Sequence, residues 1–257
     1  MEHKIKRYGW IPDYPDQRDF AYSAPQEVLQ TLPAKIDLRP GCPPVYDQGQ
    51  LGSCTANAIA GAIEFDRKKQ SLSDFAPSRL FVYYNERAME GTTNSDSGAQ
   101  IRDGIKSVAQ QGACPEAEWP YDIAKFSVKP LATCYDDALK DKAMLYKRLI
   151  QTLNQLKGCL ASGYPIVCGF SVYESFESEQ VAQTGIAQLP GSGEKLLGGH
   201  AVMVVGYDDG QQRFILRNSW GPAWGMQGYF TLPYAYLTET NLSQDFWTIE
   251  LISMEPR

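Results

Sequence analysis

The sequence predicts an α+β fold of two lobes. Three observations carry this: segments of helical period crowd the first half of the chain, β-rich runs fill the last third, and the two do not alternate as βαβ units would. A chain of 257 residues, 43% of them hydrophobic and 21% charged, fits one large domain or two small lobes, and either can bury a sizeable core. A net charge of −6 argues against nucleic acid as a partner, because phosphate binding needs clustered Lys and Arg. No window approaches the roughly 20 apolar residues of a membrane span, so no membrane partner is expected. The basic start "MEHKIKRYGWIPDYPD" leads into no apolar run, so a Sec-type leader is not expected either. Retention in the cytoplasm, export by another route and prior processing all stay open.

Residues 1–33 carry Tyr8, Trp10, Tyr14, Phe20 and Tyr22 among prolines and charges, with neither helical nor strand period. A segment so rich in aromatics reads as an arm laid over a surface rather than a free tail. Helical patterns follow near 54–69, 77–90 and 99–111, the last stopped by Gly112. "GTTNSDSG" is a loop by composition, and "GSGEK" at 191–195 is a turn rather than a phosphate loop. An amphipathic stretch at 146–163 precedes strand-type runs at 165–173, 200–207, 213–219, 228–232 and 246–252. This divides the chain into an arm (1–33), a mainly helical lobe (34–143) and a β-rich lobe (144–257).

Six cysteines (42, 54, 114, 134, 159, 168) contain no C-x-x-C pair, and the only histidines are His3 and His200. No zinc site of ordinary ligand spacing is expected. Cys54 is different in kind. It closes "DQGQLGSC" and opens a helix, where the positive end of the helix dipole favours a thiolate. Gly49, Gly52 and Ser53 leave room for another backbone to approach, and Gln48 offers an amide donor that, with the Cys54 N–H, could hold an oxyanion. Further on, "GGHAVMVVGYDDGQQRFILRNSWG" reads as a hairpin turning at "YDDGQ". With Asp209 at mid-turn, His200 falls opposite Asn218, close enough for an imidazole–amide hydrogen bond. A thiol, a base and a group orienting the base are the parts of an acyl-transfer site.

At these residues the sequence resembles the papain-like cysteine peptidases, and within them the compact bacterial branch. "QGxxGSC", "GHAVxVVGY" and "NSWGxxWGxxGYF" stand here, in that order, as Gln48–Cys54, Gly199–Tyr207 and Asn218–Phe230. The resemblance implies a helical lobe and a β-barrel-like lobe with the cleft between them. It implies Cys54 as nucleophile, His200 as base and acid, Asn218 as its orienting amide, Gln48 in the oxyanion hole and Trp220 as the indole shielding the His–Asn bond. Substrate would pair with backbone at Gly98 and Ala99, the latter standing where the family has a second glycine. Ile101, Gly169 and Ala201, with Gly199 beside the base, would line a pocket for the residue two before the cleaved bond.

Thr55 replaces the family's usual tryptophan, and Leu51 the cysteine of a usual disulfide. Cys159 and Cys168 read as buried thiols. Glu64, ten residues into the first helix, reads as a structural acid neutralised by Arg79 or Arg217. In place of the family's large propeptide there is only the 1–33 arm, expected to cross part of the cleft and limit access. The implied activity is peptide-bond hydrolysis on peptide or protein substrates, with no cofactor. An acyltransferase or ligase, or a non-catalytic peptide binder, are the alternatives on the same fold.

Overall fold

The computed structural model describes residues 8–253, so His3 lies outside the described residues. Two short strands and a helix come first: β1 (Trp10–Ile11), β2 (Ala21–Tyr22) and α1 (Gln26–Gln30). Then follow β3 (Lys35–Asp37), α2 (Cys54–Lys69), α3 (Arg79–Glu90), β4 (Ala99–Gln100), α4 (Ile101–Gln111), α5 (Ala132–Ala138), β5 (Ala143–Leu149), α6 (Leu153–Ala161) and β6 (Ile166–Tyr173). The chain ends with α7 (Glu179–Thr184), β7 (Leu196–Asp208), β8 (Arg213–Arg217), β9 (Tyr229–Pro233), α8 (Tyr234–Thr238) and β10 (Ser243–Ile252).

Residues 54–67 of α2 are all buried, as expected of a helix with protein on every side. It lies between α3 and α4 on one flank and β7 and β10 on the other. α3 is delimited locally: Ser78 Oγ accepts the Phe81 N–H at 3.1 Å, and Gly91 ends the helix in the left-handed conformation. An eight-stranded sheet runs β2-β5-β10-β6-β7-β8-β9, with β3 added on β7. Its end strands do not meet, so the β-rich part is an open sheet rather than the barrel-like lobe expected. One sheet face meets the helices around α2, and the other covers a second core built on Phe170, Phe176, Trp220, Phe230 and Tyr236.

Two expectations need correction. The amphipathic stretch at 146–163 is a strand to Leu149 and a helix only from Leu153, capped by Thr152. Pairing with β10, a contact between residues about a hundred positions apart, overrides the local helical pattern. The hairpin turn is also longer than "YDDGQ" suggested. Asp208 pairs with Arg213, and an irregularity between Val204 and Gly206 shifts the register again. His200 is therefore not opposite Asn218 in a ladder; it pairs with Phe170 on β6.

Candidate active site

His200 and Asn218 meet although the register differs from the expected one. Asn218 follows the end of β8, where its N–H bonds the Gly228 carbonyl and the chain turns out of the strand. Its Oδ1 lies 2.8 Å from His200 Nε2 and also accepts the Ser219 N–H at 2.8 Å. Trp220 packs on the imidazole with centroids 5.1 Å apart, and Phe170 stands edge-on at 5.7 Å. Cys54 is the first residue of α2 and fully buried, with the backbone N–H groups of Ala201 (the residue after His200), Gly9 and Thr55 near enough to its sulfur to favour the thiolate. His200 Nδ1 has no hydrogen-bond partner among the described residues. The start of α2 thus holds the thiol against the backbone of β7 at Ala201, the neighbour of His200 in sequence.

Gln48 is fixed by its neighbours. Its Nε2 donates to Leu51 O at 2.9 Å, its Oε1 accepts from Ser219 Oγ at 2.6 Å, and its N–H bonds Ser219 O. An amide nitrogen has two hydrogens, so one remains beyond the Leu51 contact. Behind the loop, Tyr121 donates to Gln48 O at 3.0 Å and stands 2.5 Å from Ser53 Oγ.

The arm lies directly on this site. Ala99 N–H donates to Gly9 O at 2.8 Å, and Trp10–Ile11 run parallel to Ala99–Gln100. Gly98, at φ +75°, carries no Cβ, which would collide with the Gly9 carbonyl; likewise a Cβ on Gly9 would run into the Gly52 carbonyl. Tyr8 lies edge-on to His200 at 6.1 Å and hydrogen-bonds Glu177. Trp10 lies on Gly169 and Gly199, where any side chain would enter its ring, and its Nε1 donates to Asp245 Oδ2 at 3.1 Å. Ile101 and Ala201 belong to the same buried cluster as Trp10. The backbone at 98–99, the proposed pocket and the thiol are therefore all covered by residues 8–10.

Closure sets the protonation states. The helix start was expected to favour thiolate, but burial outweighs it and pushes the Cys54 thiol up to about 12, against the pull of three backbone N–H groups. Burial likewise lowers His200 to about 4, against the Asn218 hydrogen bond. With water excluded, the neutral thiol and neutral imidazole are the stable pair.

Sequence reasoning missed several residues. Asp245, on β10, forms the polar end of the Trp10 pocket; no motif marks it. Glu86 is fully buried beneath the nucleophile helix, and its carboxylate accepts the hydroxyl of Thr55, the residue standing where the family has a tryptophan, at 2.6 Å. Burial raises its carboxyl well above the ordinary range. Of the two arginines expected to neutralise Glu64, Arg217 acts on it through its charge without a direct ion pair, donating instead to the Pro43 and Pro44 carbonyls; Tyr46 supplies the hydrogen bond to Glu64, and Arg79 pairs with Glu116 at 2.7 Å. All six cysteines are free thiols. Ligand atoms of Cys114, Glu118 and Cys134 lie within 4.8 Å of one another, a grouping that the spacing in sequence did not reveal. Among the described residues, no helix is long and apolar enough to cross a membrane.

The chain belongs to the papain family of cysteine proteases, whose family pattern matches residues 32–246. It is a papain-like cysteine peptidase, a hydrolase. Over 99% of both chains it resembles xylellain, a cysteine protease from Xylella fastidiosa, with 47% identity and a TM-score of 0.90. An uncharacterized peptidase C1-like protein of Acanthamoeba polyphaga mimivirus is 43% identical over 96% of this chain and 88% of its own. A procathepsin B of Trypanosoma congolense, 21% identical with a TM-score of 0.76 over 92% of this chain and 84% of its own, shares the fold.

Proposed function

We propose that Cys54 and His200 perform the peptidase chemistry and that residues 8–20 of the same chain hold the cleft closed. When the arm lifts, water reaches the sulfur and the ring. The Cys54 proton passes to His200, and the dipole of α2 stabilises the thiolate. The sulfur attacks the scissile carbonyl, whose oxygen takes the Cys54 N–H and the remaining Gln48 amide hydrogen. His200 protonates the leaving amine to give the acyl-enzyme, then takes a proton from water for deacylation. Asn218 Oδ1 accepts from Nε2, leaving Nδ1 to exchange the proton with sulfur. Trp220 keeps water from that bond.

One observation carries the closed reading: Gly9 lies between Gly52 and the Ala99 N–H that its carbonyl accepts, while Trp10 fills the pocket on Gly169 and Gly199. The pocket takes a large apolar ring and ends in a carboxylate, which supports a preference for an aromatic or donor-bearing side chain two residues before the cleaved bond. The direct test is peptide-library cleavage by the full-length protein beside Cys54→Ala and Gly9→Val. Cleavage should vanish in the first and rise in the second. Equal turnover of wild type and Gly9→Val would remove the arm from any part in access. Cutting the chain at residue 34 is a poorer test, because Tyr22 and Ala24 belong to the core.

A further inference from the structure

Beyond the pocket, the arm carries Asp13, Asp16 and Asp19 over a group of cations on the body. Arg102, on the first turn of α4, is the centre. Its Nε lies 3.1 Å from both Asp19 oxygens and its Nη2 2.5 Å from one of them; Nη1 donates to the Tyr14 carbonyl. The Arg102 backbone N–H donates to Asp13 Oδ1 at 3.0 Å. Every hydrogen bond of this guanidinium among the described residues goes to the arm. Arg148 reaches Asp19 at 3.3 Å and Asp245 at 2.9 Å, and Lys106 reaches Asp16 at 3.3 Å. Both guanidiniums flank one indole, with Arg102 5.7 Å and Arg148 5.8 Å from the Trp247 ring. The body's own acids in reach are Asp245, held by Arg148, and Asp103, which sits in the fields of Lys106 and Arg102.

A guanidinium whose side chain is only 5% exposed, with all its acceptors on a segment that must leave, is not satisfied by the open body. Once the arm leaves, the guanidinium's donors face water, and a carboxylate brought to the same place would remake the charge-assisted hydrogen bonds that the arm had supplied. We infer that Arg102, assisted by Arg148 and Lys106, forms an anion-binding subsite that selects peptide substrates with an acidic residue at the third to fifth position before the scissile bond. In the closed chain the arm's aspartates occupy that subsite. The inference rests on the closed-cleft reading above and names the substrate class of that same site.

The test compares pairs of peptides that differ only in Asp or Lys at those positions, on the full-length protein. The ratio of two kcat/KM values on one enzyme does not depend on the fraction closed, so even a mostly closed wild type reports it. The Asp peptide should be favoured about tenfold, the size of one partly shielded charge-assisted hydrogen bond. In Arg102→Gln the ratio should fall to near one. In Asp19→Asn both rates should rise with the ratio unchanged. A purely structural Arg102 would change both rates together, so an unchanged ratio in Arg102→Gln overturns the inference, as does a ratio near one in the wild type. Should Arg102→Gln fail to fold, added salt reads the same interaction in the wild type: the ratio should fall steeply with ionic strength, and a salt-independent ratio is fatal. If instead Gly9→Val fails to raise turnover while the ratio behaves as expected, the closed reading fails and the subsite stands.

Discussion

The two halves of the arm differ in how they are held. Residues 8–20 touch the body through a backbone bridge at Ala99, a tryptophan on two bare glycines, and aspartates set against arginines. Residues 21–31 are part of the architecture. β2 is the edge strand of the large sheet, Tyr22 and Ala24 are buried in the second core, and Ala24 N–H bonds Gln155 Oε1 at 2.8 Å. Polar and close-fitting contacts can be exchanged for those of another peptide. Core burial cannot. The boundary near Phe20, a residue 70% exposed, is therefore where the segment proposed to lift gives way to a permanent anchor.

Gly9→Val should break the front half most completely, because no β-carbon fits against Gly52. Turnover of a good peptide should rise at least about a hundredfold as the closed population is lost, read as kcat/KM and as labelling of Cys54 by a thiol-directed epoxide. Tyr22→Ala attacks the anchor and should do the opposite. It should cost about 3 kcal/mol of unfolding free energy in urea with no gain in turnover per folded molecule. A gain there would erase the distinction between the halves. Trp10→Ala loses a buried ring worth about 2–3 kcal/mol, so labelling should accelerate roughly thirtyfold and the unfolding free energy should fall by about the same amount.

The smallest effect sharpens the comparison through pH. Burial and the neighbouring Asp245 raise Asp13 to about 6, so from about pH 3.8 to 6 the closed state holds a proton that the open state has released. By linkage, closure is favoured at the acid end of that window and weakens as pH rises through 6. His200 has the opposite sign: lowered to about 4 when closed, it takes up a proton on opening between pH 6.5 and 4, so acid favours opening. Asp13→Asn should delete the first contribution alone. The ratio of variant to wild-type labelling rates should then change severalfold between pH 5 and 7, whereas a constant ratio would mean that Asp13 does not titrate on closure.

Much of the site could be read from residues because its geometry is local. His200 and Asn218 lie on either side of one turn and meet through short-range chain geometry, which tolerated a wrong hairpin register, whereas Cys54 lies far off in the chain and was tied to them by its place at a helix start and by the family resemblance. What escaped was made by distant packing. Asp245 and Glu86 carry no signal in their own neighbourhoods, since their meaning comes from Trp10 and Thr55 across the molecule. β5 was read as helix because its partner strand lies about a hundred residues away. The aromatic content of the arm announced that it was bound, and its fit to the cleft appears only where glycine meets glycine.

Because the plug and the cleft share one covalent chain, their mutual concentration is fixed by the tether rather than by how much protein is present. Short tethers of this kind give local concentrations in the millimolar range. If the arm closes the cleft as proposed, dilution should not raise turnover, and a free peptide must outcompete a neighbour that never diffuses away. Cutting the chain within the exposed stretch before β2 would turn that permanent neighbour into an ordinary, washable inhibitor.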